Sequence, residues 1–191
     1  MKIFLTGATG FIGSHVAKAF LEAGHDLVCF ARNIHKIPAL LEHPRVQMVA
    51  GELKDTPLFL DALQGCDACV HIALGWGDTP KEMLLADTLP SVALLEAAAQ
   101  AGCKQFLYTS STAAMGEMRN PMHTDLRCLP VDLYGATKSA TECYVLGYRS
   151  ATMRCNRAIP LETPVLKAPQ VNPILDFATL FAKPYATNPL S

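Results

Sequence analysis

The chain has 191 residues, half of them hydrophobic, and a formal net charge of −1. That length suits one domain with a buried core, and the apolar content excludes a disordered chain. No basic run stands out, so nucleic-acid binding has no electrostatic support. The amino terminus, MKIFLTGATG, lacks the apolar region of a signal peptide. No stretch reaches the ~18–20 apolar residues of a bilayer span. No membrane association and a cytoplasmic location are expected. Seven cysteines, an odd count, fit reduced thiols. Cys66 and Cys69 form a C-x-x-C, but GCDACVHIA reads as a loop entering a buried strand. Packing is therefore expected there ahead of metal or redox chemistry.

In chain order, Lys2–Thr6 is predicted as a short apolar strand, and 12–23 as a helix stopped by Gly24. Residues 27–30 form the second strand, 34–42 a short helix ended before Pro44, and Val46–Ala50 the third strand. A helix over 57–63 carries proline in its first turn. Residues 68–72 are the fourth strand. A long helix over 80–101 is expected to bend near Pro90 and to stop at Gly102. Gln105–Thr109 is the fifth strand, 131–148 a long helix, and 152–155 a sixth strand.

Strands alternating with helices predict an α/β fold, a doubly wound parallel sheet of Rossmann type. From Pro160 onwards the periodicity breaks down: six of the thirteen prolines fall there, with one short helix expected over 172–182. The chain thus divides into a dinucleotide-binding domain, 1–155, and an atypical proline-rich tail, 156–191.

The first strand-to-helix turn reads TGATGFIG. Gly7 permits the tight turn, Gly10 lets a pyrophosphate approach the backbone, and Gly13 lets helix and strand pack closely. The helix amino terminus offers unpaired N–H groups and partial positive charge to the phosphates. Thr9, Phe11 and Ile12 belong to the same turn and are cofactor-binding candidates with the glycines. The second strand, LVCFARN, lacks the acid that would bind adenosine ribose hydroxyls. Arg32 stands in that region, and its guanidinium suits a 2′-phosphate. NADP is therefore expected ahead of NAD.

Tyr134 and Lys138, four apart in YGATK, fall on one helix face. A nearby ammonium favours the phenolate and makes the tyrosine a usable proton-transfer group, and the lysine can also bond the nicotinamide ribose. Ser110, Ser111 and Thr112 follow the fifth strand, at the sheet's carboxyl edge, where a hydroxyl could bond a substrate oxygen or simply cap a turn.

With these motifs assembled, the sequence resembles the extended short-chain dehydrogenase/reductases, in particular the NAD-dependent epimerase/dehydratase group. TGATGFIG, GELKD, CDACVHIAL, FLYTSSTAAMG and YGATK carry the resemblance, over roughly residues 1–150. It implies Ser111, five residues before Gly116, as the catalytic hydroxyl, Tyr134 as acid/base and Lys138 as its partner. It places Glu52 and Leu53 against the adenine and Ala73 where the fourth strand passes the cofactor. His71 is expected in the core or at the strand end. Trp76 either shapes a substrate pocket or packs. Met115 stands where this family commonly has tyrosine.

The resemblance implies hydride transfer to or from a carbonyl or nucleotide-sugar type of small-molecule substrate. Family members are longer, so the substrate domain is expected to be largely missing. A non-catalytic NADP-binding protein, acting as a sensor or partner-binding module, is the alternative. The helices over 80–101 and 131–148 are those through which relatives tend to form homodimers.

Overall fold

The computed structural model describes residues 1–116, 128–148 and 153–158. Six strands, β1 (Lys2–Thr6), β2 (Asp26–Ala31), β3 (Val46–Ala50), β4 (Ala68–His71), β5 (Gln105–Thr109) and β6 (Arg154–Ala158), form one sheet in the order β3-β2-β1-β4-β5-β6. Every neighbouring pair is parallel. The doubly wound sheet expected from the sequence is present. The order reverses between β1 and β4, and a crevice opens beyond the carboxyl ends of strands at such a reversal.

Side-chain alternation builds two cores. Ile3 and Leu5 face one layer with Val16, Ala17 and Phe20 of α1 (Phe11–Glu22) and Leu40 of α2 (Pro38–Leu41). Phe4, between them, faces the other layer with Phe59 of α3 (Pro57–Ala62), where Phe30 and Phe106 also point. Period-two alternation along a central strand puts successive side chains on opposite faces. Because both faces are covered by helices, both must be apolar, and β1 reads as a continuous hydrophobic run.

The predicted helix over 80–101 is interrupted earlier than expected. It consists of α4 (Pro80–Met83), a widened π-type turn over Leu84–Thr88, and α5 (Leu89–Gln100). Proline cannot donate to the carbonyl four residues back, which here belongs to Ala86. The distortion is therefore absorbed in the turn before Pro90, with the Leu89 amide bonded to the Leu84 carbonyl. The helix expected over 34–42 shortens to α2. Asn33 ends the preceding loop differently, its side chain accepting from the His35 amide.

A short 3₁₀ turn over Thr112–Met115, absent from the sequence-based expectations, follows β5. The next helix, α6 (Leu133–Gly147), starts under a cap from Asp132 to the Gly135 amide at 2.6 Å. The sixth strand begins two residues later than expected and runs to Ala158, past the boundary drawn at 155. The rest of the proline-rich tail, with the helix expected over 172–182, lies outside the described residues.

Candidate functional site

A cavity of about 730 Å³ lies along the carboxyl edge of the sheet. At its centre the chain turns tightly between β1 and α1. Gly7 has φ +74°, and a Cβ there would sit 2.8 Å from the Ala73 amide nitrogen beyond β4. A Cβ on Gly13 would sit 2.0 Å from the Gly7 carbonyl oxygen. Only glycine allows this turn, helix and strand to close on one another. The first-turn amides of α1 have no partners inside the helix and no side-chain cap from Gly10, so they remain donors at its positive end. Thr9, Gly10, Phe11 and Ile12 line the same wall. Main-chain amides left without helical partners beside a turn of closely packed glycines fit a diphosphate.

At one end the cavity is cationic. Arg32, Asn33 and Lys36, after β2, line it opposite Gly51, Glu52, Leu53 and Lys54, after β3. Lys54 pairs with Glu52 at 2.8 Å, leaving the charges of Arg32 and Lys36 uncompensated by that carboxylate. Asn33, Lys36 and Lys54 are not among the residues that sequence reasoning selects. Their signal is present as polar residues just after strand ends, and the register of β2 with β3 brings those ends onto one rim.

At the other end stand Ala73, Trp76, Ser110, Tyr134 and Lys138. The Lys138 ammonium donates to the Thr109 carbonyl at 3.5 Å, lies 4.9 Å from the Tyr108 ring centroid and 6.0 Å from that of Tyr134. The helix brings tyrosine and lysine onto one face, as their spacing predicts. Burial pulls the Lys138 pKa down, against the opposing pull of Asp87. Asp87, itself buried, is pushed up by burial and held down in part by Lys138 and the Gly75 amide. The α6 amino terminus presses on the 3₁₀ turn, since a Cβ on Gly135 would meet the Ala113 oxygen at 2.2 Å.

The serines divide. Ser110 lines the cavity, and its buried hydroxyl has no hydrogen-bond partner among the described residues. Ser111 does not line it: its hydroxyl accepts from the Ala113 amide at 3.2 Å and caps the 3₁₀ turn. The structure therefore brings together every cofactor-binding candidate from the sequence, with Tyr134 and Lys138, and leaves Ser111 behind the wall.

His71 anchors that wall from below. Fully buried, it bonds Thr6 Oγ1 through Nδ1 at 2.7 Å and Ser91 Oγ through Nε2 at 2.8 Å. Ser91 donates to the Asp87 carbonyl at 2.6 Å, so it must accept from His71 Nε2–H. Nδ1 is then bare and accepts the Thr6 proton, while Thr6 accepts the Ile72 and Ala73 amides at 3.1 Å. Burial, with the Lys138 charge, holds the imidazole neutral, its pKa pushed down to about 3. This run of hydrogen bonds satisfies both ring nitrogens and fixes the backbone that passes the cavity at Ala73. Among the described residues there is no cluster of three or more metal-ligating side chains. Cys66 and Cys69 are buried in the core, where burial raises both thiol pKa values. No helix among the described residues is long and apolar enough to cross a membrane.

Known proteins resemble this chain in sequence and fold. The curated 3-beta-hydroxysteroid dehydrogenase of Mycolicibacterium neoaurum is 29% identical over 160 residues, 76% of this chain and 43% of that protein. The UDP-glucose 4-epimerase of Corynebacterium glutamicum is 27% identical over 161 residues, 79% of this chain and 47% of the epimerase. Among solved structures, UDP-glucuronic acid 4-epimerase from Bacillus cereus, in complex with UDP-glucuronic acid and NAD, superposes with a TM-score of 0.72 at 27% identity. It covers 83% of this chain and 55% of its own. A short-chain dehydrogenase/reductase superfamily protein from Agrobacterium tumefaciens with bound NAD gives 0.70 at 26% identity, covering 83% of this chain and 48% of its own. The chain thus spans about half the length of the relatives it matches. With the NAD dependent epimerase/dehydratase family model matching residues 3–161, most of its length, the chain belongs to that family.

Proposed function

We propose that this chain binds NADP in the cavity and serves hydride transfer to or from the carbon of a carbonyl or carbinol substrate. One observation carries the reading: a single cavity runs from the glycine turn to Tyr134 and Lys138. The relatives' names, a steroid dehydrogenase and a sugar epimerase, support small-molecule alcohol or ketone chemistry. When bound, the nicotinamide supplies the hydride acceptor or donor.

The chain's own residues would do the rest. Amides of the Gly7–Gly13 turn hold the diphosphate, and Leu53 and Glu52 flank the adenine. Arg32, in place of an acid after β2, receives the 2′-phosphate and favours NADP, with NAD as the competitor. Lys138 holds the ribose and biases Tyr134 towards its phenolate, and Tyr134 moves the proton at the substrate oxygen. Ser111 would orient that oxygen if its hydroxyl left the Ala113 amide, and Ser110 already faces the cavity without a partner among the described residues. The nucleotide-binding unit closes with β6, and the proline-rich tail after it is a separate part. The chain self-associates through α5 and α6, where Leu89, Tyr144 and Leu146 expose more than half of their surface.

The position of Ser111 favours one second reading, a protein that binds NADP without turning substrate over. A thermal-shift comparison of NADP with NAD tests the cofactor, since a ligand of the folded state raises its stability. Tyr134→Phe should keep that shift and abolish turnover of any substrate found. No shift with either dinucleotide overturns the proposal; a shift without turnover across a carbonyl panel selects the second reading.

A further inference from the structure

Trp76 is left unexplained by cofactor binding. It is 64% exposed, although an indole is among the side chains that gain most from burial. It lines the cavity, and its ring centroid lies 6.3 Å from that of Tyr134, tilted by 34°.

The backbone on either side is fixed. The Gly75 amide donates to Asp87 Oδ1 at 2.9 Å, and a Cβ there would meet the Ala86 oxygen at 1.8 Å. The Gly77 amide lies 3.2 Å from Met83 Sδ, and a Cβ there would meet Glu82 Cβ at 2.4 Å. The next two amides, of Asp78 and Thr79, donate to Glu82 Oε2 at 2.9 and 3.1 Å, closing a capping box on α4. The segment is therefore pinned at both glycines while the indole between them projects beside the phenol. A loop so fixed cannot fold its tryptophan into the core, and the preformed ring presents a flat apolar face to whatever enters.

The surroundings specify the occupant. Leu74, 41% exposed, and Ala86 line the same end of the cavity. Arg32, Lys36 and Lys54 all lie on the β2–β3 rim, at the opposite end. We infer that Trp76 is the substrate wall of the site and stacks on the flat hydrophobic face of a fused-ring alcohol or ketone, holding its oxygen towards Tyr134. The inference rests on the cofactor reading above only for the orientation of the cleft.

Trp76 is the only tryptophan in the chain, so its emission reports this wall alone. The full chain is titrated with 1-tetralone, a flat bicyclic ketone, and with UDP-glucose, each with and without NADPH. Binding to the wild type is followed by tryptophan emission and, for comparison with Trp76→Ala and Trp76→Phe, by calorimetry. Tetralone should quench the emission. Trp76→Ala should weaken tetralone about tenfold, as expected for loss of an aromatic stack with its buried area, with Trp76→Phe restoring most of it. NADPH affinity should stay the same in both variants. Equal tetralone affinity in wild type and Trp76→Ala, or no tetralone binding, overturns the inference while NADPH binding still upholds the cofactor reading. Tighter binding of UDP-glucose, equally dependent on Trp76, overturns the substrate class. Tetralone binding that needs Trp76 but no NADPH response upholds the wall and overturns the cofactor reading.

Discussion

The two ends of the cavity are made of different material. The nucleotide end is main chain and solvated charge: a turn that only glycine can make, helix amides, and the side chains of Arg32, Lys36 and Lys54 on a rim. The reactive end is buried side chain: His71, Asp87 and Lys138 are each less than 4% exposed and constrain one another. A main-chain site depends on a few consecutive residues. A buried polar site depends on partners far apart, such as Thr6 with His71 and Lys138 with Thr109, and on burial that keeps a histidine neutral. The first tolerates exchange of its side chains and not of its glycines; the second should show the opposite sensitivity, together with a response to pH.

The largest effect expected is at Gly13. Gly13→Ala forces a Cβ into the Gly7 carbonyl, which should cost about 3 kcal/mol in urea unfolding and remove the NADPH thermal shift. An unchanged midpoint with normal binding would break the claim that this end is built from close backbone approach.

Next comes His71. Its ordinary pKa is 6.5 and its folded value about 3, so between those limits the unfolded chain takes up a proton that the folded chain refuses. The associated stability is complete above pH 6.5 and falls by roughly 1 kcal/mol per pH unit as the pH drops towards 3. His71→Leu should lower stability at pH 7 by about 2 kcal/mol, because the Thr6 and Ser91 hydroxyls lose their partner. It should also flatten that acid slope. Parallel slopes for variant and wild type in urea midpoints from pH 6.5 to 4 would refute the neutral-histidine account.

Smaller still, Arg32→Ala with Lys36→Ala should weaken NADPH about tenfold and leave NADH unchanged, as removal of charge-assisted phosphate contacts does. Equal losses for both dinucleotides would show that the rim carries no 2′-phosphate selectivity. Last, Lys54→Ala should leave the urea midpoint where it is, because the pair with Glu52 is solvent-exposed. A clear shift there would mean the rim is more than a charged surface.

Much of the fold is legible in local sequence. Lys2–Thr6, Val46–Ala50 and Gln105–Thr109 match their expected bounds residue for residue, because short runs rich in apolar and β-branched residues between turn signals mark strands locally. Tyr134 and Lys138 are recognisable because helical spacing is local. Pro90 announces a distortion of its helix, but not the turn that absorbs it: which carbonyl gives way depends on Gly75 making room for the Ala86 oxygen. Lys36 and Lys54 carry no such mark, because an exposed lysine after a strand end is in itself no different from any solvated surface lysine. Counting along a motif picks out Ser111, whereas the direction of its hydroxyl is set by the 3₁₀ turn that follows.

By itself the order of residues determined the parallel α/β sheet, the glycine corner and the helical tyrosine–lysine pair, since each is a pattern within one element or one turn. Only the tertiary structure decided which serine faces the cavity, which partners hold His71 neutral at the core position expected of it, that Asp87 opposes Lys138, and that Trp76 stands exposed beside Tyr134. Those properties arise from burial and from partners distant in the chain, as His71 is from Ser91 and Thr6. The dielectric and the available partners are set there by neighbours that no local pattern records.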